Sequence, residues 1–357
     1  MITLKRNITH FYTNSTAVGG PTTYINLINN SQYLSDKYNF SCVYQNKLIY
    51  RMSFKDLKRI VSEFKKNSPD IIHIHGLQSE GFVGTLCAKI FGKAKILITV
   101  HGMQHDSFNI GVFKKFLFKN ILERWTLKNA DGVFCVCEAA EKSKYISKNT
   151  KHLMHYLHNC VSDMPEYVRE TERENLGFKK DDIVLVSVGR VTEGKGAAVV
   201  ANIIENDKNN NHKYLILGDG PYLKTMKERL AEQISKGKVV FMGSVSDVGR
   251  YLSASDVYIS ATYKENLSIA ILEAGYYSLP CIVTPVGGNG EIIENGYNGE
   301  LFDIEDVDGF FDKLNCILKT GIDKYRANAK ENINQRFSIE QFEKGLCDIY
   351  NKILDNN

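Results

Sequence analysis

The 357-residue chain lacks any run of 18 apolar residues, so no part of it reads as a membrane-spanning helix. Its opening, Met1-Ile-Thr-Leu-Lys-Arg-Asn-Ile-Thr-His-Phe-Tyr12, is broken by Lys5, Arg6 and His10 and is therefore no signal-peptide core. The chain is expected to stay in the cytoplasm. It has no Cys-x-x-Cys motif: the eight cysteines, at 42, 87, 135, 137, 160, 281, 316 and 347, fall mostly in apolar strands or helices. They read as reduced thiols used as small hydrophobes. Cys135-Val-Cys137 continues the alternation of Gly132-Val-Phe-Cys-Val-Cys137, which fits a buried strand better than a metal pair. A large charge of one sign is absent too. The formal net charge is +4, too small for a nucleic-acid binder. What remains, 43% apolar and 24% charged residues, is a globular chain long enough for two domains.

Along the chain, short Ile/Val/Leu-rich runs alternate with longer helix-period segments, the pattern of parallel sheets crossed by helices. In the first half the expected strands are Asp70–His75, Lys95–Val100 and Gly132–Val136. In the second they are Ile183–Val188, Lys213–Leu217, Val239–Met242, Val257–Ser260 and Cys281–Thr284. Between the sets, His158–Glu174 is polar, charged and contains Pro165, which suits a linker and then a surface helix. The expected domains are therefore 1–160 and 161–338. A last helix from Ile339 puts Phe342, Leu346, Ile349, Tyr350 and Ile353 on one face, and segment 339–357 is expected to cross back to the first domain.

In sheets of this kind, ligands bind beyond the carboxyl ends of the strands. In the stretch from Ala261 to Gly275, Glu265 falls in a loop and Glu273 about two turns into the following helix, so the two carboxylates face different parts of one ligand. The amides of Asn266, Leu267 and Ser268 would join a helix N-terminus, which favours a phosphate. Ser187-Val-Gly-Arg-Val-Thr-Glu-Gly-Lys-Gly196 brings Gly189, Arg190 and Lys195 to a strand end, two cations among permissive glycines suited to a diphosphate. Gly218-Asp-Gly-Pro221 and Pro285-Val-Gly-Gly-Asn289 are further glycine turns after strands. Gly19-Gly20-Pro21 precedes a helical segment, Thr22–Asn29, and His101-Gly102 follows a strand. His73 and His75 point to one side of theirs; with no third ligand nearby in sequence, packing is the preferred role over metal.

Taken in order, Gly19-Gly20, Pro69–His75, Thr99–Gly102, Ala130-Asp131 through Ser143, Gly189-Arg190 with Lys195-Gly196, Gly218–Pro221, Phe241–Gly243, and Glu265 with Glu273 resemble the retaining glycosyltransferases of family 4. The resemblance implies the α/β GT-B fold, two facing Rossmann-like domains with parallel sheets and a deep cleft between them. It also implies transfer of a sugar from a nucleoside-diphosphate sugar, UDP preferred and GDP the alternative, with anomeric configuration kept. By that resemblance Glu273 binds the ribose and Glu265 the donor sugar. Arg190 and Lys195 stabilise the diphosphate, Gly19 and Gly20 approach donor and acceptor, and His101 lies beside the sugar. The base is held by backbone after Phe241-Met-Gly-Ser-Val245. No cofactor or metal is expected. Where the family commonly has Glu-Gly-Phe-Gly, this chain has Glu265-Asn-Leu-Ser268, which puts two extra side chains at the sugar.

The acceptor is expected to be a glycan or lipid-linked, in surface polysaccharide or glycolipid synthesis. Segment 112–125 mixes Lys114, Lys115 and Lys119 with Phe113, Phe116, Leu117, Phe118 and the only Trp. Such a helix suits either peripheral contact with the inner face of an anionic membrane or inward packing with its lysines in water. Two rival readings are a nucleotide-sugar epimerase and a non-catalytic partner that binds glycan or stabilises another transferase.

Overall fold

The computed structural model describes residues 5–13, 20–47, 49–103 and 111–355. The chain divides into two compact units, Met1–Asn159 with Ile339–Asn357, and Cys160–Ser338. Unit 1 holds a five-stranded sheet of β1 (Arg6–Thr13), β2 (Tyr38–Gln45), β3 (Ile71–His75), β4 (Lys95–Val100) and β5 (Gly132–Cys135). The order is β2-β1-β3-β4-β5 and every pairing is parallel. Unit 2 holds six strands, β6 (Ile183–Val188), β7 (His212–Leu217), β8 (Val239–Gly243), β9 (Val257–Ser260), β10 (Cys281–Val283) and β11 (Gly299–Leu301). Their order is β11-β10-β9-β6-β7-β8, again all parallel.

A parallel sheet needs a crossover between strands and ends up covered on both faces. That is why most of these strands are apolar throughout, as in Leu185, Val186, Leu215 and Ile259, all buried. Strand order fixes where a ligand can enter. In unit 1 the chain winds outward in both directions from β1 and β3, and in unit 2 from β6 and β9, so the crevice at each switch point opens beyond those carboxyl ends.

Two local arrangements hold the units' margins. The helix Ile339–Asp355 buries Phe342, Leu346, Ile349, Tyr350 and Ile353 within unit 1, and Tyr38 donates from its hydroxyl to Asn351 Oδ1 at 3.0 Å. At the start of unit 2, helix Arg169–Asn175 is more than a surface helix: Glu172 and Arg173 are buried. Asp256 receives Arg169 at 2.7 Å, Arg173 at 3.0 Å, Arg326 at 3.1 Å and the Val184 amide at 2.9 Å. A carboxylate with that many donors is satisfied despite its burial, and losing Asp256 would leave three arginines without the anion they share.

Segment 112–125 is not one continuous amphipathic helix. Val112–Leu117 is α-helical, Phe118–Leu122 is a wider π turn, and Glu123–Asn129 resumes the α-helix. Trp125 turns inward against Phe82, ring centroids 5.1 Å apart, while Val112, Phe113, Phe116 and Ile121 are exposed. No described helix is long and apolar enough to cross a membrane.

Candidate active site

In unit 2 the loops after β6 and β9 are locked together. Lys195 ends a short 3-10 turn, Glu193–Lys195, capped by Thr192. Its Nζ lies 2.5 Å from Glu265 Oε2, an ion pair that spans the switch point. Two glycines make this closeness possible. Gly196 has φ +71° and a Cβ there would collide with the Ala261 carbonyl oxygen; Gly287 has φ +55° and would meet the Glu265 carbonyl. Tyr263 N donates to Gly194 O at 3.2 Å and Gly288 N to Asn266 O at 2.5 Å, so three loops are tied by backbone alone.

Gly189 and Arg190 follow β6 directly, both exposed, and the Arg190 guanidinium has no hydrogen bond or ion pair among the described residues. Ser268 caps helix Ile269–Tyr276, accepting from Ile271 N at 3.4 Å. The Asn266 amide bonds Glu265 Oε1 at 3.3 Å and is thus occupied, whereas the amides of Leu267 and Ser268 meet no acceptor among the described residues. The loss of the two glycines costs this loop nothing: neither Asn266 nor Ser268 has a positive φ, so the left-handed backbone that would favour glycine is not used. Asn266 also brings a buried Nδ2 with no partner among the described residues.

Glu273 sits in the second turn of that helix, makes no side-chain hydrogen bond among the described residues, and burial pushes its carboxyl up to about 7. Both Glu265 and Glu273 act electrostatically on Tyr258 of β9, whose hydroxyl is raised first by burial and then in part by them. The two carboxyls therefore both lie within electrostatic reach of the Tyr258 hydroxyl. Val245 lies in the loop after β8, next to the turn where Gly218 N donates to Gly243 O at 2.7 Å. Unit 2 thus gathers Gly189, Arg190, Lys195, Glu265 and Leu267 to Glu273 around the carboxyl ends of β6 and β9, with Val245 at the end of β8.

In unit 1, Gly20 opens helix Gly20–Asn30, and Gly19 lies outside the described residues. His101 follows β4 and is partly exposed; the Tyr24 ring of the Gly20 helix meets it edge-on at 4.8 Å. Behind it is a group that sequence spacing did not reveal. His10 of β1 is in register with His73 of β3, and His10, His73 and His75 are all buried with ring nitrogens close enough to hold an ion. Most of these nitrogens already have a hydrogen-bond partner, however. His73 Nδ1 is 2.8 Å from Tyr350 Oη and its Nε2 is 2.6 Å from Thr99 Oγ1, while His10 Nδ1 is 2.9 Å from His75 Nε2. Burial holds His10 down to about 3 and His101 to about 4, and pushes His73 and His75 well below the ordinary imidazole value. These rings are uncharged at neutral pH.

Glu80 is the other residue missed. It stands in the first turn of helix Ser79–Phe91, just beyond β3, accepts from Thr13 Oγ1 at 3.3 Å, and is pushed by burial up to about 7. Had β1 been recognised as a strand, its parallel neighbour β3 would have brought His10 and Thr13 to these positions.

A family model described as Glycosyltransferase Family 4 matches residues 38–162, and one described as Glycosyl transferases group 1 matches residues 168–336. The chain belongs to the family 4 glycosyltransferases. This glycosyltransferase is 27% identical over 326 residues to the UDP-Gal:alpha-D-GlcNAc-diphosphoundecaprenol alpha-1,3-galactosyltransferase of Escherichia coli, covering 85% of this chain and 81% of that one. It is 24% identical over 298 residues to the N-acetyl-alpha-D-glucosaminyl L-malate synthase of Bacillus anthracis, covering 81% and 76%. Among solved structures, Alr3699/HepE of Anabaena in complex with UDP-glucose superposes with a TM-score of 0.79 over 97% of this chain and 99% of that one, at 15% identity. The fold is GT-B, two Rossmann-like domains, and the enzyme transfers a sugar from a nucleotide-sugar donor to an acceptor.

Proposed function

We propose that this glycosyltransferase moves a hexose from a UDP-sugar to a lipid-linked or glycan acceptor, keeping the anomeric configuration, in the building of a cell-surface polysaccharide or glycolipid. The observation that carries the reading is the Lys195–Glu265 pair across the β6/β9 switch point, with Arg190 and Glu273 left unpaired among the described residues. Such a set offers cations to a diphosphate and carboxylates to hydroxyls. The E. coli relative acts on a UDP-sugar and a diphosphoundecaprenol-linked sugar, and the Anabaena structure holds UDP-glucose, which supports both the donor and the acceptor class.

In this mechanism the anomeric carbon–oxygen bond to the diphosphate breaks while the acceptor oxygen bonds to the same face of that carbon. The acceptor's hydroxyl proton passes to the departing phosphate oxygen. Arg190, Lys195 and the free amides of Leu267 and Ser268 stabilise the negative charge as it develops on that diphosphate. Glu265 orients the donor sugar and holds Lys195 in place; Glu273 accepts from the ribose hydroxyls, Gly189 lets the phosphates approach the backbone, and the segment around Val245 holds the base. By the family resemblance, Gly19, Gly20 and His101 are the unit 1 residues assigned to donor and acceptor. No residue is cast as a covalent nucleophile, and no metal is required, since the cations are the protein's own.

Calorimetry against UDP-, GDP- and ADP-sugars tests the donor, because a ligand of the native state is bound at a measurable affinity and raises stability. A UDP-sugar is expected to bind with the same affinity in EDTA. Binding of a GDP- or ADP-sugar instead, or loss of binding in EDTA, overturns the donor assignment or the metal independence.

The acceptor is reached at a membrane surface, on the cytoplasmic side. Exposed Val112, Phe113, Phe116 and Ile121 alternate with Lys114, Lys115 and Lys119, and Lys114 Nζ lies 5.9 Å from the centre of the exposed Tyr50 ring. Apolar side chains among lysines match the boundary of an anionic bilayer. Co-sedimentation with anionic vesicles at low salt is expected, and its absence would remove the membrane from the reading.

A further inference from the structure

His101 does not stand alone: a line of buried rings runs from it into the sheet. His75 Nδ1 is 3.4 Å from His101 Nε2, and His10 Nδ1 is 2.9 Å from His75 Nε2. We propose that His10 and His75 are positioning residues that hold the His101 ring with its proton on Nδ1.

An uncharged imidazole has one donor nitrogen and one acceptor nitrogen, and the hydrogen bond at one fixes the role of the other. A line of three such rings therefore has two states. In the first, His10 Nδ1–H donates to His75 Nε2, His75 Nδ1–H donates to His101 Nε2, and His101 keeps its proton on Nδ1. In the second every bond reverses, and His10 must carry its proton on Nε2. That nitrogen is fully buried and has no partner among the described residues. The first state leaves a bare lone pair there, the second an orphaned N–H, and orphaned buried N–H groups are the rarer of the two in folded proteins. Pair geometry thus selects the first state. A charged ring is excluded throughout, since burial holds all three imidazoles below their ordinary value.

His73 does not enter the line. Its two nitrogens are taken by the hydroxyls of Tyr350 and Thr99, which serve as donor or acceptor and so accept either arrangement. The outer end of the line is open: His101 Nδ1 has no hydrogen-bond partner among the described residues. The consequence rests on the function proposed above. With its proton on Nδ1, His101 offers the donor sugar a hydrogen bond from an uncharged ring. No cation is placed against a sugar carbon that becomes electron-poor as the diphosphate leaves.

The test reads the protons directly. Protein labelled with 15N in its histidine rings gives long-range 1H–15N correlations that distinguish a protonated ring nitrogen from a bare one, and His101→Gln assigns the relevant signals. In the free wild-type enzyme at neutral pH, Nδ1 of His101 is expected to be the protonated nitrogen. His75→Phe removes the donor to His101 Nε2, and its spectrum is expected to show the proton shifting to Nε2. His75→Gln, whose amide can accept from His10 and donate to His101, is expected to keep it on Nδ1. Circular dichroism and the melting transition establish that the variants fold; if His75→Phe does not, the wild-type spectrum decides. A wild-type His101 protonated on Nε2, or a folded His75→Phe protein with His101 unchanged, overturns the proposal.

Turnover supplies the second readout. His75→Phe is expected to lower kcat about tenfold with the donor KM little changed, less than the roughly 10²-fold lost when an electrostatic donor is removed outright. The spectrum is taken without donor or acceptor, so it stands or falls apart from the catalytic reading. A tautomer as expected with full activity in His75→Phe would keep the histidine line and remove His101 from the reaction.

Discussion

In unit 1 the carboxyl edge of the sheet is lined by polar groups without fixed charge: the His10–His75–His101 line, which runs from within β1 through the end of β3 to the residue after β4, and Glu80, whose carboxyl burial pushes up to about 7. In unit 2 the corresponding edge carries fixed charge, with the Lys195–Glu265 pair bridging the loops after β6 and β9 and Arg190 exposed just after β6. Both sheets reverse their strand order at the place concerned. The same topology therefore offers two different recognition chemistries. Fixed cations suit a diphosphate, which stays anionic at all relevant pH. Neutral imidazoles suit hydroxyls, which would gain little from a charge and would lose by its desolvation.

The comparison breaks most visibly if the charge in unit 2 proves dispensable. Lys195→Ala removes a cation from the proposed diphosphate site and leaves Glu265 without its partner. Turnover is expected to fall by about 10²-fold or more, as for other electrostatic donors in a water-poor site. Steady-state transfer assays check this, and a Lys195→Ala enzyme at the wild-type rate would sink the assignment. Glu273→Ala sharpens the comparison at the next level. It takes away an acceptor of ribose hydroxyls but no cation, so the donor Kd is expected to rise about tenfold or somewhat more, the worth of a hydrogen bond to a charged group. An unchanged Kd by calorimetry would place the ribose elsewhere.

Most of unit 2 was legible in the sequence because its strands are continuous apolar runs. The expected Ile183–Val188 and Val257–Ser260 agree with the observed strands to the residue, and Lys213–Leu217 gains only His212. The carboxyl ends of those strands therefore came with them, and with those ends the positions of Arg190, Lys195 and Glu265. Unit 1 was less legible. β1, Arg-Asn-Ile-Thr-His-Phe-Tyr-Thr, and β2, Tyr-Asn-Phe-Ser-Cys-Val-Tyr-Gln, mix polar and aromatic residues and have no run of aliphatic ones. Both are held instead by pairing along their whole length, eight residues in register, a long-range interaction that local periodicity does not carry. Without β1 there was no reason to bring His10 to His73 and His75, and without that contact the strand-end histidine looked isolated. The Lys195–Glu265 contact was hidden for a similar reason. It spans 70 residues and depends on two glycines, Gly196 and Gly287, whose need is set by neighbouring backbone and not by their own surroundings in sequence.

The smallest effect bears on what the two edges share. Glu80 and Glu273 are both carboxyls pushed by burial up to about 7 from an ordinary 4.5, one in each unit. A raised carboxyl binds its proton more tightly in the folded chain than in the unfolded one. Between pH 4.5 and 7 the native state therefore carries more protons, and stability falls as pH rises through that window, then levels above it. Each Glu→Gln variant removes one such group and is expected to flatten the slope of the melting temperature against pH in that window, with little change above pH 7.5. If the two variants flatten it equally, burial acts alike on both edges. If only Glu80→Gln does, Glu273 is charged in the free enzyme and already set to accept from a ribose; if only Glu273→Gln does, the acidic group of unit 1 is ionised, and the contrast between a neutral edge and a charged one fails at Glu80.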